Sequence, residues 1–345
     1  MTRPGVVLAP NWLGDAVMCL PALAALRRAR PDQRWTVLAR PAVAPVFRLA
    51  ELGLEVAELP APGKLRLPRL PSARFTAAEV VIFPNSIHAA LLACRLRAPR
   101  RVGYARQRRA WLLRPAIPAP AAGTLPGHEA FYYLELLRRA GYIERLPAEA
   151  PGALRVPLVP PAAAVAAWRE RLGPPPRVAL HVGASFGTAK RWLPERFAEL
   201  GGSLAERGWD VVLVGSPADR ELARAVRMSA PRPQRLRNLA GETTLPELVA
   251  LLAAVDVLVA NDSGPMHVAA AVGTPVVALF GSTNERETYP LAQAGKLHLL
   301  KAPEIACSPC KLRECPIDHR CMTRISAAQV QAAVQEALCS DPRRG

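Results

Sequence analysis

The chain has 345 residues, more than one typical domain, and half of them are hydrophobic, enough for two cores. No apolar run reaches the ~18–20 residues a membrane span requires, and Asp15 interrupts the first apolar stretch, so no secretory signal pattern opens the chain. The formal charge of +17 is uneven, with 22 Lys and Arg against 10 Asp and Glu in residues 1–150 and 23 against 18 in 151–345. A cytoplasmic, soluble protein follows as the expectation, able to rest on a membrane surface, with its amino-terminal half facing something acidic.

In chain order, Gly5 to Pro10 reads as a first strand, and Asn11-Trp12-Leu13-Gly14-Asp15 leads into an Ala/Leu-rich helix to about Arg30. Strands are expected at 35–39, 54–57 and 79–85, with a helix from about Ile87. A Pro/Ala-rich stretch at 150–165 marks a linker, and Pro174-Pro175-Pro176 follows shortly after. The alternation then restarts with strands near 177–183, 210–215, 235–239, 255–260 and 275–281. Helices are expected from Pro194, from about Asp219, at 245–254 and from Met266. Strands alternating with helices predict doubly wound parallel sheets, in an α/β chain of two Rossmann-like domains at 1–165 and 166–345. Ligands of such sheets bind at the carboxyl ends of the strands, which predicts a cleft between the two domains. A terminal helix near 326–338 is expected to pack back on the first domain.

Four places carry chemistry. In the first, Gly14 is expected to turn the backbone tightly, and Asp15 then serves either as a general base on a substrate hydroxyl or as a helix cap. In the second, the loop from His181 and Gly183 through Thr188 to Lys190 and Arg191 places two cations before Pro194. They either neutralise a diphosphate, in place of a divalent metal, or form a solvated pair. The G-x-x-x-x-G-K-[ST] spacing of a Walker loop is absent.

In the third, Ser216, Asp219 and Glu221 follow a strand, and either carboxylate suits ribose hydroxyls. The fourth is Cys307, Cys310, Cys315 and Cys321, read as reduced thiols in preference to structural zinc because the spacing is not a regular double C-x-x-C. An odd total of seven cysteines argues against a disulfide framework. The stretch Asn261-Asp262-Ser263-Gly264-Pro265-Met266-His267 is the most informative. Small polar residues open a helix after a buried strand, so free N–H groups and the helix dipole suit a phosphate. The alternative is that Asp262 or Ser263 only caps the helix.

Taken in order along nearly the whole chain, these motifs resemble glycosyltransferase family 9, the lipopolysaccharide heptosyltransferases. The carriers are Asn11–Asp15, Ala189-Lys190-Arg191-Trp192-Leu193-Pro194, Asn261–Ala270 and Gly281-Ser282-Thr283. The cysteine loop at 307–321 is most similar to the heptosyltransferase II subgroup. Pro265 departs from the larger apolar residue the family often has there.

The resemblance implies a GT-B architecture, with the acceptor on the first domain and the nucleotide sugar on the second. It implies inverting transfer of heptose from ADP-heptose to the lipopolysaccharide inner core, as the second heptose, on a Kdo-lipid A or heptosyl acceptor. Asp15 matches the family's base and Lys190 its diphosphate-binding lysine, with Thr188 and Arg191 beside it. Asp262, Ser263, Gly264 and His267 match the loop around diphosphate and sugar. Thr243 falls where the family contacts adenine, with Gly183, Ser216, Asp219 and Glu221 completing the expected nucleoside side. No metal or other cofactor is expected to be required. The implied setting is the inner face of the cytoplasmic membrane. A basic nucleic-acid-binding module is the distant alternative, disfavoured because no stacking aromatics interleave the basic residues. A family-9 enzyme with another donor sugar, or with the first-heptose acceptor, is the nearer one.

Overall fold

The computed structural model describes residues 4–59, 77–121, 123–148 and 152–339. It divides into two compact units, Met1–Leu158 and Val159–Gly345. In the first unit, β1 (Gly5–Leu8) leads to α1 (Leu13–Met18) and α2 (Leu20–Ala29), then β2 (Trp35–Ala39), α3 (Ala44–Leu49) and β3 (Glu55–Glu58). After these come β4 (Glu79–Ile82), α4 (Ile87–Arg95), β5 (Arg100–Tyr104), β6 (Ala116–Ile117) and α5 (Ala130–Arg139). The sheet is parallel, in the order β3-β2-β1-β4-β5-β6. Chain order reverses between β1 and β4, so the loops leaving those two strands diverge and open a crevice at their carboxyl ends.

The second unit begins with α6 (Ala162–Leu172), β7 (Arg177–His181), α7 (Pro194–Glu206), β8 (Asp210–Val214), α8 (Arg220–Ser229) and β9 (Leu236–Asn238). It continues through α9 (Leu245–Ala254), β10 (Val257–Asn261), α10 (Gly264–Val272) and β11 (Val276–Phe280). It ends with α11 (Glu285–Thr288), β12 (Leu297–Lys301), α12 (Arg320–Thr323) and α13 (Ala327–Cys339). This sheet is also parallel, ordered β12-β11-β10-β7-β8-β9, and reverses between β7 and β10. The apolar runs of β10 and β11 are buried at every position, as strands covered on both faces must be. Among the described residues, no helix is long and apolar enough to cross a membrane.

Several expectations change. The helix after β1 breaks at Cys19, where Pro21 lacks the N–H that would continue the ladder. The Ala-rich end of the expected linker is α6, since alanine favours helix once Pro160 and Pro161 are passed. The terminal helix α13 buries Val330, Val334 and Leu338 in the second unit's own core, against α7 and the sheet.

Candidate functional site

In the first unit, Asp15 lies in the first turn of α1, where a carboxylate faces the helix's positive end. Its charge reaches Cys19 and Tyr133, whose protons are held chiefly by burial. Gly14 is helical, so the tight turn expected of it does not occur, and Trp12 supplies the extended residue before the helix. Asn11, four residues before Asp15, together with Arg40, Ser86 and His88 rims a cavity of about 350 Å³ floored by Leu8, Leu38 and Leu92. Arg40 and His88 belong to no motif in the sequence. Sheet order alone brings them to the Asp15 edge.

In the second unit, the switch point between β7 and β10 gathers the Lys190 loop and the Asp262 turn. Asn261 ends β10 fully buried, and its amide ties the two loops together. Asn261 Nδ2 donates to the carbonyls of Val182 and Gly183 at 3.1 Å each, and its Oδ1 accepts from the Trp192 N–H at 2.8 Å. The next residue holds the lysine. Lys190 Nζ lies 2.7 Å from Asp262 Oδ2, and Thr283 Oγ1 donates to the same oxygen at 2.6 Å. The Lys190 side chain is 15% exposed and that of Asp262 5%, so the pair is largely shielded from water while the ammonium keeps an outlet. Arg191 follows half-buried, its Nε without a hydrogen-bond partner among the described residues. Thr188 is exposed at the start of the short turn carrying Lys190.

Ser263 caps α10 through its backbone, and its Oγ contacts His181 Nδ1 at 3.0 Å and donates to the Asn261 carbonyl at 3.0 Å. At the start of α10, Pro265 has no N–H and the Met266 N–H donates to the Ser263 carbonyl at 3.2 Å, so the Gly264 N–H and the positive end of the helix dipole are what this turn offers a phosphate beside the Lys190–Asp262 pair. His267 lies buried in the second turn of the same helix.

The expected nucleoside residues divide. The Asp219 carboxylate is buried. Its Oδ2 accepts from Ser216 N–H at 2.9 Å and Ser216 Oγ–H at 2.6 Å, closing a capping box. A side chain at Gly183 would meet Asp219 Oδ1 at 2.1 Å, so Gly183 is needed for this close approach. Glu221 instead sits exposed in the first turn of α8, which leaves it as the free acidic side chain of the two. Thr243, half-buried, stands just before Thr244, the N-cap of α9.

The cysteine segment braces the lysine loop. Ala189 N–H donates to the Arg313 carbonyl at 2.9 Å, His319 Nε2 meets the Ala189 carbonyl at 3.0 Å, and Lys311 N–H donates to the Ser282 carbonyl at 2.7 Å. A side chain at Gly187 would strike Arg313 O at 2.2 Å. Cys307, Cys310, Cys315 and Cys321 are free thiols around one small cavity. Among the described residues, no group of three or more His, Cys, Asp or Glu is arranged to hold a metal ion. Burial, then the neighbouring cysteines, pushes the Cys321 thiol up to about 11, which keeps it protonated.

Two expected results follow from this geometry. Asn261→Ala strands one buried N–H and two buried carbonyls, which costs about 2–4 kcal/mol. Calorimetry should show the unfolding midpoint lowered by roughly 5–10 °C, and an unchanged midpoint would contradict the tie. The second concerns His181, which burial, helped by Arg191 and opposed by Asp219, lowers from 6.5 to about 4. The unfolded chain therefore binds this proton first as pH falls. Stability is complete above pH ~6.5 and is lost toward pH ~4. Urea unfolding at pH 5 should show on the order of 2 kcal/mol less stability than at pH 7 from this group. In His181→Gln that difference should shrink.

A parallel sheet that gathers Lys190, Arg191 and a helix amino terminus at its switch point has the form of a nucleotide fold, with groups that suit an anion. The model of glycosyltransferase family 9 (heptosyltransferase) matches residues 72–320, and the chain belongs to that family. It is a glycosyltransferase built from two Rossmann-like sheets of the GT-B type. It is 31% identical over 311 residues to lipopolysaccharide heptosyltransferase 2 of Salmonella typhimurium, covering 85% of this chain and 86% of that one. To lipopolysaccharide heptosyltransferase 2 of Escherichia coli it is 43% identical over 124 residues, a match spanning 35% of this chain and 36% of that one. The solved structure of E. coli ADP-heptose lps heptosyltransferase II superposes with a TM-score of 0.80 at 25% identity, covering 97% of this chain and 98% of that one.

Proposed function

We propose that this chain transfers L-glycero-D-manno-heptose from ADP-heptose to the inner core of lipopolysaccharide, with inversion, adding the second heptose. The observation that carries the reading is the buried Lys190–Asp262 pair at the amino terminus of α10, in a chain of family 9. Asp15 takes the proton of the acceptor hydroxyl as its oxygen attacks the anomeric carbon. The bond from that carbon to the diphosphate breaks, and ADP leaves with the electron pair. Lys190, Arg191 and the α10 amino terminus meet the negative charge that develops on the departing diphosphate, so they stabilise the transition state more than the bound donor.

Asp262 and Thr283 fix the ammonium in advance, which spares reorganisation during the step. Ser263 and His267 complete the donor loop, with Glu221 and Thr243 toward the nucleoside. The acceptor, anionic and membrane-borne, meets the arginine-rich first unit at the inner face of the cytoplasmic membrane. The cavity rimmed by Asn11 is a natural seat for its sugar, with Arg40 and His88 toward acidic groups.

A donor panel tests the reading. ADP-heptose should turn over with an inner-core acceptor, whereas ADP-glucose and GDP-mannose should react at least 10²-fold more slowly in kcat/KM, as pocket polar contacts discriminate. Equal or faster turnover of another donor would replace the sugar and keep the fold.

A further inference from the structure

From Val80 to His128 the chain carries eight arginines and no acidic residue. Within this stretch the strap after β5 has an unusual build. Trp111 lies in a single 3₁₀ turn, Ala110–Leu112, and is 71% exposed, the most exposed large hydrophobic side chain among the described residues. Its neighbours Leu112 and Leu113 point inward and are buried in the first unit's core. Arg106, Arg108 and Arg114 around it are exposed.

The strap is held firmly. Arg109 is fully buried and donates to the carbonyls of Tyr104 at 3.0 Å, Pro84 at 2.5 Å and Ser86 at 2.9 Å, which ties the strap to the loop after β4. Arg101 Nε donates to the Leu112 carbonyl at 2.8 Å, and the backbones of Arg101 and Arg114 exchange bonds at 2.7 and 2.8 Å. Gln107 and Arg108 both adopt positive φ, 52° and 54°, a conformation costing about 1–2 kcal/mol per non-glycine residue. A buried guanidinium and two exposed left-handed residues thus brace a turn whose indole stands in water, where its apolar surface gains nothing from the isolated fold. The same build is favourable where the indole meets an interface that is part apolar and the arginines meet anionic groups.

We infer that this strap is a membrane-docking surface, with Trp111 entering the headgroup boundary of an anionic bilayer and Arg106, Arg108 and Arg114 facing its lipid phosphates. Each arginine near an anionic surface contributes about 1 kcal/mol, so three of them plus one indole give reversible attachment rather than anchoring. The inference names the surface for the membrane-borne acceptor proposed above, but its test requires no transfer activity, so the two can fail separately.

The experiment is co-sedimentation of the full chain with vesicles of phosphatidylglycerol and phosphatidylethanolamine, against vesicles of phosphatidylcholine alone. The unmodified chain should sediment with the first and be released by 0.5 M salt. Trp111→Ser should lower the partition coefficient on the order of tenfold, and separately the pair Arg108→Glu and Arg114→Glu should lower it at least about thirtyfold. The exposed pair Arg224→Glu and Arg235→Glu in the second unit matches the charge change and should lower it far less. Unfolding midpoints near the unmodified value confirm folding, since every substituted side chain is exposed. Partition unchanged in the strap variants, or equal to that of the matched pair, overturns the inference. So does concentration-dependent self-association that Trp111→Ser abolishes, which would assign the strap to a second copy of the chain.

Discussion

Asp15→Ala is expected to lower kcat by about 10²–10⁴-fold with little change in the KM for ADP-heptose, the loss typical of a removed general base. The side chain opens a helix at the carboxyl edge of β1 and is half-exposed, four residues after Asn11, which rims the cavity with Arg40 and His88. Asp15→Asn separates its two possible duties. The amide keeps the size and the hydrogen-bonding oxygen at the helix start, so stability should change by only about 0.3–1 kcal/mol. It cannot take a proton, so the rate should still collapse. A near-normal rate in Asp15→Asn with stability slightly reduced would leave Asp15 as a helix-dipole carboxylate and nothing more.

Lys190→Ala should be damaging in two independent ways. Removing the ammonium takes away charge that meets the leaving diphosphate, at a cost on the order of 10²–10³-fold in kcat/KM for the donor. It also leaves Asp262, whose side chain is 5% exposed, without its cation. Breaking a buried pair by deleting one partner costs about 3–5 kcal/mol of stability. Adding Asp262→Asn to Lys190→Ala removes the stranded charge, so stability should largely return while donor kcat/KM stays low. Urea unfolding and donor kinetics on the unmodified chain and the two variants read the two effects separately. Unaltered donor kinetics in Lys190→Ala would remove the residue from the site. Kinetics that recover together with stability in the double variant would make its contribution structural only.

Much of the second unit was readable because its buried strands are mostly Val, Leu and Ala runs with helix signals between them. The expected 245–254 helix is α9 to the residue, with Pro246 at its second position and Glu247 closing a capping box with Thr244. Harder segments carried contrary signals. The strand β5 opens on two arginines, Arg100 and Arg101, whose charges mask its β character. The edge strand β12 is half-buried throughout and mixes His298 and Lys301 into its apolar residues. Helix α6 hides in a Pro/Ala stretch that composition assigns to a linker.

The site shows the same division. Lys190 and Asp262 each belong to a recognisable motif, but 72 positions apart nothing in the sequence pairs them. Only the adjacency of β7 and β10 does. Asn261 sits in the most informative motif, yet its work is to tie the Val182, Gly183 and Trp192 backbones, which no spacing rule reveals. The sequence leaves Asp219 and Glu221 equivalent, and only the fold tells them apart: one carboxylate is turned inward to accept from Ser216, the other is left in solvent. Nor does the cysteine spacing reveal that its segment bonds to the backbones of Ala189 and Ser282 and so braces the lysine loop.

The most direct test mixes the purified chain with ADP-heptose and either Kdo₂-lipid A or Kdo₂-lipid A already bearing one heptose, and follows product mass. The account predicts a gain of one heptose on the heptosylated acceptor alone, lost in Asp15→Ala. Transfer to the bare acceptor would place the chain with the first-heptose enzymes, and no transfer to either by folded protein would contradict the proposed reaction.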